Sequence, residues 1–487
     1  MAGRSPLRRP ARLENNYTMT PPIHHSHETT SNADRDLATR YEPKSLRTYT
    51  PSQAVLARSA GVFHWTPEGR RLYDFSSGVL VANLGHNPWS WMKQFTELMG
   101  WEAGGPRGSE SYFTAAPMTA YNAVTELEVQ ASQRLAELLQ SKPGGKRLEQ
   151  VMWAASGSEA IQKALWAAMG RDHSRDMILA TRYGFHGKKG LAGAVTGSET
   201  DRERDPRVRF ISFPMRECLD VTFRDAPFDP APYRKELETL YTELGRRIGV
   251  LITEPYLGGG GSYHPPKAYL QLLQQFCRQH DIAFILDEVQ SNFGRTGELF
   301  AFETYGIEPD MVVLGKGLGN GVPVAAAVGR ADLFASLDYG EGSDTWSANP
   351  LCCAAVLATL DEFAAGDVLG RCRRSSAIIE AGLLRLKELP FIANVRGEKG
   401  GMVWGVETHD HAGQAAAEWA NHCVLACYRG DGQDGIHLLG PLAKKVIRIA
   451  PPLVITEAES REAMELMFQL LRPFATADVG RARPALA

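Results

Sequence analysis

Short, almost wholly apolar runs recur along the middle of the chain: VMWAA (151–155), MILAT (177–181), VRFISF (208–213), GVLITE (249–254), IAFILDE (282–288) and MVVLGK (311–316). Runs without polar alternation predict strands covered on both faces, as in a parallel sheet. Between them lie stretches with apolar residues three and four apart, such as KAYLQLLQQFCRQH (267–280), which predict amphipathic helices. ELEVQASQRLAELLQ has the same period and is broken at Gly144-Gly145. Helices alternating with buried strands predict a doubly wound α/β domain over 105–365, its mostly parallel central sheet flanked by helices.

The two ends differ in texture. GVFHWTPEGRRLYDF (61–75) reads as two short strands around the turn Thr66-Pro67-Glu68-Gly69. Towards the C-terminus, 372–389 reads as a helix, VRGEKGGMVWGVE (395–407) as two strands, and TEAESREAMELMFQLL (456–471) as an amphipathic helix. This predicts a small α+β domain assembled from both ends, 45–104 and 366–473. Residues 1–44 and 474–487 are expected to lack fixed structure. The first 13 residues hold four arginines and no acid, as organellar import segments do, but Pro6 and Pro10 interrupt any amphipathic helix there. A loose tail on a cytoplasmic protein is the simpler expectation.

Composition narrows the function classes. Hydrophobic residues make up 44% and charged residues 22%, an ordinary globular balance that needs no disordered class. A net charge of −3 supplies no basic field for nucleic acid. No apolar run approaches the roughly 18 residues of a membrane span, so neither nucleic acid nor membrane is expected as a partner. The seven cysteines are odd in number and form no CxxC pair, which suits a reducing compartment and suggests no metal centre.

In open α/β sheets, ligands bind beyond the carboxyl ends of the strands. VMWAA runs into Ser156-Gly157-Ser158 and then a helix, which makes either an anion cup for a phosphate or a plain N-cap. IAFILDEVQ ends in Asp287-Glu288; a carboxylate buried there is costly unless a cation, such as a protonated pyridine nitrogen, answers it. Neighbours on a strand point to opposite faces, so only one of the two can serve. A solvated acidic turn is the alternative. MVVLGKGLGNG places Lys316 in a glycine-rich turn, where an imine or a desolvated amine can titrate near about 7–8 rather than about 10.4. Nucleotide-loop patterns fail here, because Gly317 stands where Ser or Thr is needed and VPVAAAV reads as a strand. Glu254-Pro255 ends GVLIT and either neighbours a cofactor ring or caps a loop.

Together these segments resemble the class III aminotransferases, which are fold type I pyridoxal-phosphate enzymes. The resemblance runs from about Gly61 to about residue 470. GVFHWTPEGRRLYDFSSGVLVANLGHNP opens it, and SGSEA, GFHG, ITEP, LDEVQSNFGRTG, PDMVVLGKGLGNGVP, DTWSANP and VIRIAPPLVIT follow in the family's order. It implies pyridoxal 5'-phosphate as cofactor and transfer of an amino group from an amine or amino acid to a 2-oxo acid. Lys316 would form the Schiff base, Asp287 would pair with the pyridine nitrogen, and Gln290 would approach the phenolic oxygen. Phe185, where many relatives carry Tyr, would stack on one ring face, with Val289 behind the other and Glu254 close by. Gly157 and Ser158 would hold the phosphate. Thr345 matches a residue that reaches the partner subunit's phosphate, which implies a homodimer. Arg448 matches the arginine that pairs bidentately with a substrate carboxylate; an edge-strand surface arginine is the alternative.

One position departs from the family. Many relatives that use ω-amines carry a Glu five residues after the Glu of ITEP to cover that arginine. Here it is Gly259, inside the run Gly258 to Gly261. An ornithine- or aminobutyrate-like specificity is therefore in doubt. Decarboxylation-linked transamination, racemisation, an aminomutase reaction and a non-catalytic binding role stay open on the same scaffold.

Overall fold

The computed structural model describes residues 22–101, 112–201 and 204–476. Three short strands come first, β1 (Arg58–Ala60), β2 (Phe63–Trp65) and β3 (Arg71–Asp74). Seven follow in the middle of the chain: β4 (Gln150–Ala154), β5 (Met177–Thr181), β6 (Val208–Ile211), β7 (Ile248–Thr253), β8 (Ala283–Asp287), β9 (Met311–Leu314) and β10 (Ala325–Gly329). The C-terminal part adds β11 (Ile392–Gly397), β12 (Trp404–Thr408), β13 (Asp434–His437) and β14 (Val446–Ile449).

The central strands form one sheet in the order β4-β10-β9-β8-β7-β5-β6. Only β10 runs against its neighbours. A parallel return needs a crossover of a dozen or more residues, usually a helix; between β9 and β10 there is only a short turn that includes the 3₁₀ segment Lys316–Leu318, so the chain reverses. β5, β7, β8, β9 and β10 are buried at every residue. Alternate side chains feed the two sides of the sheet. Leu251 joins the helices Glu126–Gln140, Ala231–Leu244 and Lys267–His280, whereas Val250 and Ile252 meet the helix Gly157–Gly170.

Both chain ends meet in a second sheet of order β1-β2-β3-β13, in which β3 and β13 run parallel. Arg71 and Asp434 fasten that junction with two 2.7 Å hydrogen bonds across 363 residues of sequence. A third, antiparallel sheet, β11-β12-β14, packs beside them.

The segment expected to lack structure up to residue 44 departs from that reading, because Thr29–Tyr41 is helical. It carries little apolar stripe, and its anchorage is ionic instead. The Glu28 carboxylate accepts from Arg35 and Arg70 at 2.7 Å each and from the Tyr428 hydroxyl at 2.8 Å. At the other end, the loose segment expected from 474 begins inside a short helix, Pro473–Thr476. Residues 1–21 and 477–487 lie outside the described residues, as do the arginines near the start. Among the described residues, no helix is long and apolar enough to cross a membrane.

Candidate active site

Four strand ends open on the same side of the central sheet. Beyond β4, Ser156 caps the helix Gly157–Gly170, its side chain accepting from Glu159 N–H at 3.3 Å. That leaves Gly157 and Ser158 at the positive end of a 14-residue helix, where an anion is favoured. The position is tight: a Cβ there would lie 3.0 Å from Val289 Cγ1, so the valine would have to give way. One at Gly315 would lie 3.3 Å from the same atom. The Val289 isopropyl group thus bridges the helix start and the residue before Lys316.

Ser158 also abuts the turn after β5. A Cβ on Gly187, whose φ is +145°, would come within 2.6 Å of Ser158 Oγ. In that turn Phe185 stays half exposed while its backbone N–H donates to Glu254 Oε2 at 2.8 Å. Gly258 N–H donates to Glu254 Oε1 at 3.2 Å. Burial, together with the field of Asp287, pushes the Glu254 carboxyl up to about 7 despite the opposing pull of His186 and these donors.

The pair ending β8 divides between the two faces. Asp287 Oδ2 lies 2.7 Å from His186 Nδ1, and its Oδ1 accepts Val289 N–H at 3.0 Å. Glu288 points away and accepts Ala301 N–H (2.7 Å) and Phe302 N–H (2.8 Å) at the start of the helix Ala301–Tyr305. The solvated acidic turn is therefore not what forms here, since both carboxylates are buried.

Lys316 follows β9 with φ +47°, in the left-handed region that costs a non-glycine residue strain. Desolvation, reinforced by the positive field of Arg448, lowers its ammonium to about 8, while Asp287 and Glu254 pull the other way. Arg448 lies on β14 opposite Gly405 of β12 and is only 6% exposed, so the edge-surface alternative does not apply. Its Nε and Nη1 are buried without a hydrogen-bond partner. Burial depresses its basicity, and Tyr256 and Glu254 partly offset this. Gln290 lies over Gly258 with Oε1 buried and unpaired.

Lys316, Asp287, Glu254, Val289, Gln290, Gly157, Ser158, Phe185 and Arg448 are thus linked through shared contacts or fields. Thr345 is not part of this set. It is exposed on the loop that Asp344 ties to Lys163 of the Gly157–Gly170 helix at 2.6 Å. Two neighbours carried weaker sequence signals. His186 sits in the GFHG stretch, and its Nε2 is also buried and unpaired. Arg295, in NFGRTG, is fully buried and bonds Asn83 Oδ1 (2.9 Å), Met402 O (3.2 Å) and Pro451 O (2.6 Å), which ties the segment after β8 to those before β12 and after β14.

The donor set fits pyridoxal phosphate. A helix start suited to an anion, a buried carboxylate held by His186 and Val289 N–H, and a desolvated amine beside glycines that pack on Val289 are the groups such a cofactor needs. A family model described as "Aminotransferase class-III" matches residues 114–471. The chain belongs to the class III aminotransferases. It is accordingly a pyridoxal-phosphate-dependent enzyme of fold type I, and the non-catalytic alternative falls away. Ornithine aminotransferase from Emericella nidulans is 27% identical over 459 residues, covering 90% of this chain and 93% of the relative. A 2-aminoadipate transaminase from Pseudomonas putida is 32% identical over 419 residues, covering 84% and 93%. Among solved structures, an (S)-enantioselective omega-transaminase from Thermomicrobium roseum has a TM-score of 0.73 at 27% identity, covering 93% and 97%.

Proposed function

We propose that this aminotransferase works between amino acids and 2-oxo acids, with Arg448 reading the substrate carboxylate in both half-reactions. The observation that carries the reading is the buried guanidinium with unpaired Nε and Nη1, whose field reaches Lys316. A desolvated cation without a partner is costly, and a ligand carboxylate repays that cost. Gly259 supports the same reading. No acidic side chain at that position covers Arg448, and a Cβ there would already lie 3.1 Å from Phe185 Cβ. Amines without a carboxylate, and ω-amines such as ornithine's, are correspondingly poorer donors.

Bound pyridoxal phosphate supplies an electron sink for the charge left when a substrate α-proton departs. Lys316 holds the cofactor through Nζ, and its amine, titrating at about 8, takes up and returns that proton. Asp287, oriented by His186, keeps the pyridine nitrogen protonated. Gly157 and Ser158 would hold the phosphate, Phe185 and Val289 would flank the ring, Gln290 would approach its phenolic oxygen, and Glu254 fixes the Phe185 and Gly258 backbone. Ends 45–104 and 366–473 form the smaller domain, which brings Arg448 to the mouth of the 105–365 domain.

Two broader features complete the proposal. Thr345 serves the partner's phosphate in a homodimer, supported by its exposure and that of Trp346, Phe113, Met118 and Tyr121. The enzyme works in the cytoplasm, supported by seven cysteines that are all unpaired. The test is single-turnover absorption of the bound cofactor as amino acids and simple amines are added one at a time. α-Amino acids should react far faster, and equal rates for amines that lack a carboxylate would overturn the role of Arg448.

A further inference from the structure

The sheet built from both chain ends carries a cluster that amino-group transfer does not use. β3 and β13 pair with Asp74 opposite His437. On β2, His64 lies opposite Leu72, two residues before Asp74. Residues two apart on a strand share a face, so register alone collects His64, Asp74 and His437 on one side. One ligand atom from each lies within 4.8 Å of the others, and no second such group of three occurs among the described residues.

The surroundings resemble a built site. Asp74 is fully buried, and its Oδ1 accepts Ser76 N–H (2.8 Å), Ser76 Oγ–H (2.7 Å) and Ser77 N–H (3.0 Å). Its Oδ2 faces His86 Nε2 at 2.7 Å and His64 Nε2 at 3.4 Å. His64 is held from behind through Nδ1, 2.7 Å from Ser59 Oγ. The rings of His64 and His437 meet edge-on, with centroids 5.5 Å apart. A hydrogen-bond network accounts for His86 and His64 but not for His437, whose Nδ1 is buried without a partner.

We propose that His64, Asp74 and His437 form a divalent transition-metal site, filled by Zn²⁺, which clamps the N-terminal hairpin to β13. Two imidazole nitrogens and a carboxylate oxygen are a zinc donor set, and bonds of about 2.0–2.2 Å place tetrahedral ligands roughly 3.4 Å apart. Closing the present cluster to that spacing takes movements on the order of an ångström. Ser59 and Ser76 are the outer partners that orient a metal-bound imidazole and carboxylate. The fourth position falls to His86 or to water.

The experiment uses the full-length holoenzyme after treatment with a chelator. Co²⁺ is added while its visible d–d absorption is followed, and Zn²⁺ is then titrated against a chromophoric chelator. One equivalent per chain should give an intense four-coordinate Co²⁺ band that Zn²⁺ displaces, and Zn²⁺ should raise Tm. His437→Gln and, separately, His64→Gln should abolish the band. They should also weaken Zn²⁺ binding by about 100-fold or more, beyond what loss of an outer partner costs. Unchanged cofactor absorption identifies folded variants. Absence of stoichiometric uptake by the wild-type chain, or retention of the band in both variants, would overturn the site.

Discussion

Replacing Arg448 with Met separates binding from folding, because the guanidinium is buried yet unpaired. Met reaches as far as the arginine Nε, so the substitution removes charge and donors while keeping the packing of the methylene stem. Loss of one partner from a buried charge pair costs about 3–5 kcal/mol. At about 1.36 kcal/mol per decade, kcat/KM for 2-oxo acids should fall between about 100-fold and several thousand-fold. The cofactor-free protein should nevertheless melt no lower than the wild type, since the lost cation had no partner to reward its desolvation. Desolvation, with the field of Arg448 adding to it, lowers the Lys316 ammonium to about 8, so removing Arg448 should move the pH limb governed by Lys316 part of the way upward. The assay is steady-state kinetics with a 2-oxo acid and an aldehyde of matched length, from pH 6 to about 10. The aldehyde should be nearly unaffected once the pH exceeds the new limb. Equal losses for both acceptors, or an unmoved limb, would refute the reasoning.

Lys316→Ala should abolish turnover; measurable multiple-turnover activity would remove Lys316 from its assigned role. Glu254 titrates at about 7 in the fold against 4.5 for the ordinary group. Its protonated form is thus favoured by folding, and the stability this gives is complete below about pH 4.5 and lost as pH rises through 7. The whole difference is about 3 kcal/mol at most. Glu254→Gln should flatten the stability curve of the cofactor-free protein across that window in urea titrations, and an unchanged slope would contradict the linkage. Gly259→Glu would press on Phe185, whose Cβ stands 3.1 Å from the new Cβ. Overpacking of this kind costs about 1–3 kcal/mol, so a lower Tm and slower amino acid half-reactions are expected; a fully active, equally stable variant would show that the loop yields.

The central sheet was legible because strands buried on both faces leave unbroken apolar runs. What the runs could not encode is direction: β10 reads like its neighbours, and its reversal follows from the missing crossover helix before it. Asp287-Glu288 was recognisable as a pair but not as an assignment, since a strand period says only that the two diverge. The turn holding His186 and the helix start Ala301–Tyr305 decide which carboxylate faces the site. The helix Thr29–Tyr41 escaped notice because an ion pair between Glu28 and distant Arg70 and a hydrogen bond from Tyr428 hold its start, and no local pattern reports them. His64, Asp74 and His437 were invisible as a group for the same reason. Their proximity is a property of strand register across most of the chain.

The parallel pairing of β3 with β13 also sets a schedule. Arg71 leaves the ribosome 363 residues before Asp434, which at about 5–20 residues per second is a wait of roughly 20–70 s. Through that interval β3 presents an unpaired edge, the feature that invites wrong partners. The central sheet, by contrast, has all its strands once residue 329 is made. Newborn chains should therefore pass through a stage with a finished cofactor floor and an unclosed rim. Truncations ending before β13 should capture that stage as an aggregation-prone species.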